Sequence, residues 1–200
     1  MSGAPTSAFV TGGSVSRSRA MAERAVLDAD GDALETVVLR PRLVWGPDDA
    51  TILPALTEAV RRGRFAWIGG GCHLTSTTHV DNVVEGLLLA ASRGRGGEAY
   101  FVTDGAPLVF REFITRLLAT QGVEVPDKNV PAGVARAAAA LAEGAWGLLP
   151  LPGSPPLTRL AVWLSSLECT IDISKARAEL GYEPVVSVAG GLESLSAARA

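Results

Sequence analysis

Two histidines, two tyrosines and two cysteines are all that this 200-residue chain offers in imidazole, phenol and thiol chemistry. His79 is of the residue type best suited to move a proton near neutral pH. Asp81, two residues on, reads as a helix cap rather than a base. Tyr100 falls in an expected strand and Tyr182 near the C-terminus, and both read as packing residues. Cys72 and Cys169 lack the spacing of metal ligands or of a disulfide framework, so no metal centre is expected. The main chain offers a second kind of chemistry. Thr11-Gly12-Gly13 closes a short apolar run in a tight turn, where bare backbone N–H groups let a phosphate approach. Gly69, Gly70 and Gly71 have no helix directly after them and read as a plain turn.

The elements that must position these residues alternate between strand and helix, the pattern of an α/β protein. Ala8 to Val10 reads as a strand and Ala20 to Ala29 as an amphipathic helix. Val37, Val38 and Leu39 form a continuous apolar run, as in a parallel strand covered on both faces, limited by Pro41. Helices are expected over Ile52 to Arg62, in "VDNVVEGLLLAAS", and in "LVFREFITRLLATQG" closed by Gly122. "FAWI", "EAYFV" and "CTIDI" read as strands, and "SKARAELGY" as a helix with Ser174 as N-cap and Gly181 at its end. "LTRLAVWLSS" reads as a further helix.

With 48% hydrophobic and 20% charged residues the chain can bury one sizeable core. A formal charge of -3 leaves no footprint for nucleic acid, and Arg61, Arg62 and Arg64 read as a solvated helix end. Met1 to Ser7 lacks the features of a signal peptide, and the cysteine usage fits a reducing cytoplasm. Val130 to Pro156 is the stretch most like a membrane segment, but Arg136, Glu143 and Pro150 interrupt it. It reads as a buried or interfacial helix, and contact with a membrane surface through Trp146, Leu148, Leu149 and Leu151 is the minor alternative.

Three ordered motifs then carry a resemblance: "LRPRLVWGP", "HVDNVVEGLLLA" and "KARAELGYEPVVSVAGGL". Over roughly residues 16 to 197 the chain resembles the extended short-chain dehydrogenases/reductases, the epimerase/dehydratase superfamily, and is most similar to their 3β-hydroxysteroid dehydrogenase branch. The resemblance implies a Rossmann-type fold with NAD or NADP as cofactor. It also gives His79 the work of holding the turn between two lobes. Thr11, Gly12 and Gly13 match the opening of the family's glycine turn, but Val15 and Ser18 stand where its later glycines would be. Ser18, Arg19, Ala20 and Glu23 match the helix that carries the family's Tyr-x-x-x-Lys pair. Val15 then occupies the Tyr position and Arg19 the Lys position, so the pair that would exchange the hydroxyl proton and bind ribose is degenerate.

Fewer than five residues separate Gly13 from Ser18, against about 30 for one βαβ unit. The resemblance therefore implies a truncated Rossmann-type remnant over residues 1–45, with most of the nucleotide-binding part missing. A C-terminal substrate-binding lobe over 46–200 follows, residues 81–103 packing back on the sheet. Cofactor contacts are expected at Gly12, Gly13, Arg19, Pro41 and Val44, and substrate contacts at Trp45, Pro47, Leu53, Trp67 and Thr77. The implied reaction is NAD(P)-dependent oxidation or reduction at a CH–OH group of an apolar ring substrate, impaired in this chain, with weak cofactor binding. A nucleotide-sugar epimerase would want a basic residue ahead of the His-Val-Asp segment to meet a diphosphate, and "CHLTSTTHV" reads as offering none. The third reading is a non-catalytic family member or binding module. The run at Val37 to Leu39, with Ala8 to Val10 too short to cover it, predicts an exposed apolar edge and sheet face, and hence self-association or the need of a partner.

Overall fold

Val37, Val38 and Leu39 are each at most 1% exposed in the computed structural model, which describes residues 6–11, 17–148 and 168–199. Their strand, β2 (Leu34–Pro41), lies in the middle of a three-stranded parallel sheet of order β1-β2-β7. β1 (Thr6–Thr11) pairs along one edge, from Thr6 opposite Leu34 to Thr11 opposite Leu39. β7 (Glu98–Val102) pairs along the other, ending with Pro41 opposite Val102.

Alternation along β2 sends its side chains to two covered faces. Val37 and Leu39 join Tyr100 and Val102, Val83 and Ala90 of α3 (Val80–Arg93), and Ala176 and Leu180 of α6 (Ser174–Leu180) in one apolar cluster. On the opposite face Arg40 pairs with Glu23 of α1 (Arg17–Asp28) and lies over the Phe101 ring. The run at Val37 to Leu39 is therefore flanked by β1 and β7 and buried, and the outer edge of β1 pairs with no strand among the described residues. β1 is six residues long because pairing with β2 draws the polar Thr6, Ser7 and Thr11 into the strand on either side of the apolar run, and α1 packs beside β2.

The rest of the chain folds around a second cluster. α4 (Phe110–Ala119) buries Phe110, Phe113, Ile114, Leu117 and Leu118, the three-and-four spacing of a single helix face. Against it stand Trp45 of β3 (Val44–Trp45), Trp67 of β4 (Trp67–Ile68), and Leu192 and Leu195 of α7 (Val188–Ala197). Leu53, Leu56 and Val60 of α2 (Ile52–Arg61) complete it. Short pairings fix the connections: β3 runs parallel to β6 (Thr78–His79), β4 parallel to β9 (Asn129–Val130), and β5 (Leu74–Thr75) antiparallel to β8 (Leu108–Val109). α5 (Ala132–Leu148) buries Ala135 and Ala139 against Ile68 and Val130. Among the described residues no helix is long and apolar enough to cross a membrane. The side chains of Trp146 and Leu148, residues Leu149 and Leu151, and the helix expected in "LTRLAVWLSS" lie outside the description.

Three local expectations need correction. "CTIDI" is no strand: only Cys169 bridges, to Thr75. Its Asp172 turns the chain instead, accepting from the Ser174 N–H at 2.8 Å and from the Ser174 hydroxyl at 2.9 Å. Ser174 is thus the first helical residue of α6 and not its cap. Likewise α3 is capped by His79, whose Nδ1 accepts from the Asp81 N–H at 3.2 Å, and Asp81 stands in the first turn. Gly181 closes α6 with a φ of +69°, and Gly69 to Gly71 form the expected turn.

Candidate functional site

Because the three strands are parallel, their carboxyl ends open on one side of the sheet, where ligands of such folds gather. β1 leads there into Gly12 and Gly13, which with Val15 lie outside the described residues. β2 leads into Arg42 to Pro47, and β7 into Thr103 and Asp104. Thr78 ties the last two exits together. Its hydroxyl accepts from the Arg42 N–H at 3.0 Å and shares its proton between the carbonyls of Arg42 (2.9 Å) and Val102 (3.0 Å). Leu43 and Asp48 hold left-handed backbone at φ of +43° and +60°, a conformation uncommon for non-glycine residues and found where the surroundings enforce it.

Asp104 is the centre of the enforcement. One carboxylate oxygen accepts from Trp45 Nε1 at 2.8 Å and the Thr77 hydroxyl at 2.7 Å. The other accepts from the His79 N–H at 2.6 Å and Asn82 Nδ2 at 2.7 Å. Asn82 is fully buried and also exchanges two hydrogen bonds with the Val186 main chain, which brings the segment before α7 against the same turn. His79 is 2% exposed, edge-on to Trp45 with ring centroids 4.8 Å apart. Its Nε2 has no partner among the described residues. Gly191 makes this packing possible, since a Cβ there would stand 2.7 Å from the Trp45 ring and 2.8 Å from His79.

The outer wall is α2. Asp49 starts it by accepting from the N–H groups of Thr51, Ile52 and Leu53 at 2.8 to 3.0 Å. Burial pushes the Asp49 carboxyl up, but these hydrogen bonds and that of the Thr51 hydroxyl outweigh it and hold it below the usual carboxylate range. His73 stacks on Phe110 at 4.9 Å. Burial, and then the nearby Arg42 charge, hold its imidazole below the usual range, with the Glu168 carboxylate opposing.

The sequence-predicted residues divide in two. Trp45 and Thr77 meet at Asp104, and buried Trp67 packs edge-on against Phe65 and Phe110. Pro41 and Leu53 are half-buried, while Val44 and Pro47 are exposed at the strand exit. Arg19 lies in α1, and Glu23 one turn on is the partner of Arg40. The two phenols are engaged elsewhere. Tyr100 donates to Glu179 at 2.8 Å, and fully buried Tyr182 donates to the Thr103 carbonyl at 2.9 Å, with burial and then the Asp104 and Glu85 charges raising its pKa. Asp104, Asn82, Arg42 and His73 were missed. A polar Asn in the first turn of an apolar helix is the one available signal.

A family model described as "3-beta hydroxysteroid dehydrogenase/isomerase family" matches residues 10–131. The chain belongs to that family. Its relatives include the 4-hydroxy-2-methyl-3-oxo-4-farnesyl-3,4-dihydroquinoline-1-oxide ketoreductase of Stigmatella aurantiaca, 51% identical over 177 residues, which are 88% of this chain and 53% of that protein. The 2-alkyl-3-oxoalkanoate reductase of Stenotrophomonas maltophilia is 40% identical over 190 residues, 91% of this chain and 57% of that one. The chain thus spans about half the length of the curated relatives it matches. Among solved structures, the WbmF enzyme of Bordetella bronchiseptica in complex with NADH is 18% identical, with a TM-score of 0.61 over 96% of this chain and 57% of that one, a likeness of fold. The α/β, truncated Rossmann-type reading therefore holds for this family member.

Proposed function

We propose that this chain is the substrate-lobe portion of an NAD(P)-dependent oxidoreductase of the 3β-hydroxysteroid dehydrogenase type, acting at a CH–OH group of an apolar ring substrate such as a sterol-like alcohol or ketone. By itself it holds such a molecule without turning it over. The observation that carries this reading is at the strand exits: the described edge is fixed in place by Thr78 and Asp104, yet both described phenols donate elsewhere and His79 is buried. Both curated relatives named above are reductases of a ketone by their names, which supports the reaction type, and the dihydroquinoline named for the first supports a ring substrate. Pro41 and Val44 suit the nicotinamide end of NAD or NADP. The sequence between Gly13 and Ser18 leaves no room for a segment to read its adenosine end. The fit is partial, and no hydride step is assigned to this chain. Residues 1–45 form the nucleotide-side remnant in this reading, and 46–200 the lobe, with 81–103 shared.

The test is NAD(P)H absorbance with purified chain and a panel of sterols and cyclic alcohols. No turnover is expected, and calorimetry should show only very weak NAD or NADP binding. Steady turnover that survives repurification, or micromolar cofactor affinity, overturns the proposal. The same reading places the chain in the cytoplasm, without nucleic acid or membrane partners. It also has the chain self-associate through the outer edge of β1, which pairs with no strand among the described residues. A well-dispersed monomer in light scattering at high concentration would contradict the association.

A further inference from the structure

α7 has two faces with different tasks. One carries Gly191 against the Trp45 and His79 rings and sends Leu195 into the second apolar cluster. The other, with Ala189, Glu193 and Ser196, is exposed and forms one wall of a cleft of about 390 Å³. The opposite wall is the last turn of α4, from Arg116 to Ala119, and buried Leu192 is the floor. Positions three and four apart line up on one side of a helix, so each wall is a single stripe.

The walls are small and the rim is charged. Ala119, Ala189 and Ser196 let another surface approach closely, and the Ser196 hydroxyl already donates to the Leu192 carbonyl at 2.9 Å. Arg116 and Glu193 stand exposed on opposite walls. Arg40, Arg62, Arg95, Arg111 and Arg177 each meet a carboxylate. Arg116 meets none among the described residues, and Glu193 meets no cation there. An occupant of the cleft must therefore bring an acid to Arg116 and a base to Glu193. A simple anion or cation answers one and is repelled by the other. A second copy of the chain answers both by symmetry: in an isologous contact residue i meets j and j meets i, so a two-fold axis carries Glu193 to Arg116 and Arg116 to Glu193.

We propose that the cleft between α4 and α7 is a two-fold contact between two copies of this chain, closed by two Arg116–Glu193 pairs. The contact lies on helices and not on the sheet, so it is separate from association through the β1 edge, and it needs neither substrate nor cofactor. Exposed ion pairs contribute little each and are screened by salt, so the dimer is weak and salt-sensitive.

Charge exchange tests this on the full chain by sedimentation equilibrium at low and high salt. Arg116→Glu sets carboxylate against carboxylate in both halves of the contact, and Glu193→Arg sets guanidinium against guanidinium. Each alone should weaken dimerisation at least about tenfold, since two attractions become two repulsions. An equimolar mixture of the two variants should dimerise again, because the all-acidic cleft of one then meets the all-basic cleft of the other. Recovery on mixing also shows that both variants are folded. An unsubstituted chain that stays monomeric at low salt, single variants that associate like the parent, or a mixture that associates no more tightly than its components would each overturn the proposal. Association indifferent to every exchange would leave the β1 edge as its cause, so the two readings fail separately.

Discussion

Trp45 Nε1 donates to Asp104 at 2.8 Å across 59 positions of sequence, joining the exit of β2 to the exit of β7. The same carboxylate takes three further donors, from Thr77, His79 and Asn82. Trp45 Nε1, the His79 N–H and Asn82 Nδ2 can only donate, while the Thr77 hydroxyl can turn to accept. In Asp104→Asn one oxygen becomes an NH₂ that faces two of these groups, so at least one desolvated donor is left opposing a donor. We expect a loss of about 1–3 kcal/mol in urea unfolding, the cost of unsatisfied buried groups. Near-UV circular dichroism should change as Trp45 loses its fixed setting. An Asp104→Asn chain of unchanged stability would show that the hub does not hold the site.

Gly191 and Gly190 sit side by side in α7 and should respond in opposite directions. A Cβ at Gly191 meets the Trp45 and His79 rings at 2.7 and 2.8 Å, both fully packed. Gly191→Ala is expected to cost about 1–3 kcal/mol through overpacking. At Gly190 the nearest foreign atom is the Ser187 hydroxyl at 3.4 Å, so Gly190→Ala should gain about 0.5–1 kcal/mol from helix propensity. Paired thermal melts check the contrast, and equal effects would remove the packing argument.

What was legible in the sequence followed from periodicity. The spacing of Phe110, Phe113, Ile114 and Leu117 gave α4, and the unbroken Val37 to Leu39 run gave a strand buried on both faces. The family motifs led to the strand exit. Asp104 was invisible because "TDG" reads as a turn, while its partners lie 22 to 59 residues away. His79 replaced Asp81 as the cap of α3 for a related reason: an imidazole Nδ1 can accept as a carboxylate does, and only the three-dimensional packing decides which is used. At α6 the N-cap position falls on Ile173, and Asp172 just ahead of it accepts from Ser174, the residue whose type suggested a cap. The extent of β1 was missed because Thr6 and Ser7 are polar, and strand pairing with β2 decides their conformation.

Two titrations should separate on a pH series because they belong to opposite kinds of group. His73 has its folded pKa depressed below 6.5, chiefly by burial and then by Arg42, so it favours the folded state while neutral. Its contribution is fully present above pH 6.5 and is lost as pH falls below that through the folded value, since the unfolded chain then binds the extra proton. Asp49 has its folded pKa depressed below 3.8 because the α2 N–H groups outweigh its burial. Its contribution is complete above pH 3.8 and disappears only as pH drops through the lower folded value. Thermal melts between neutral pH and pH 3 should therefore fall in two stages. His73→Gln should flatten the first stage and leave the second, whereas Asp49→Asn should only shrink the second, which Asp172 and Glu179, also held below their ordinary values, share. A first stage that persists in His73→Gln would place the neutral-to-acid loss on another group and show that the His73 imidazole is not held neutral by its setting.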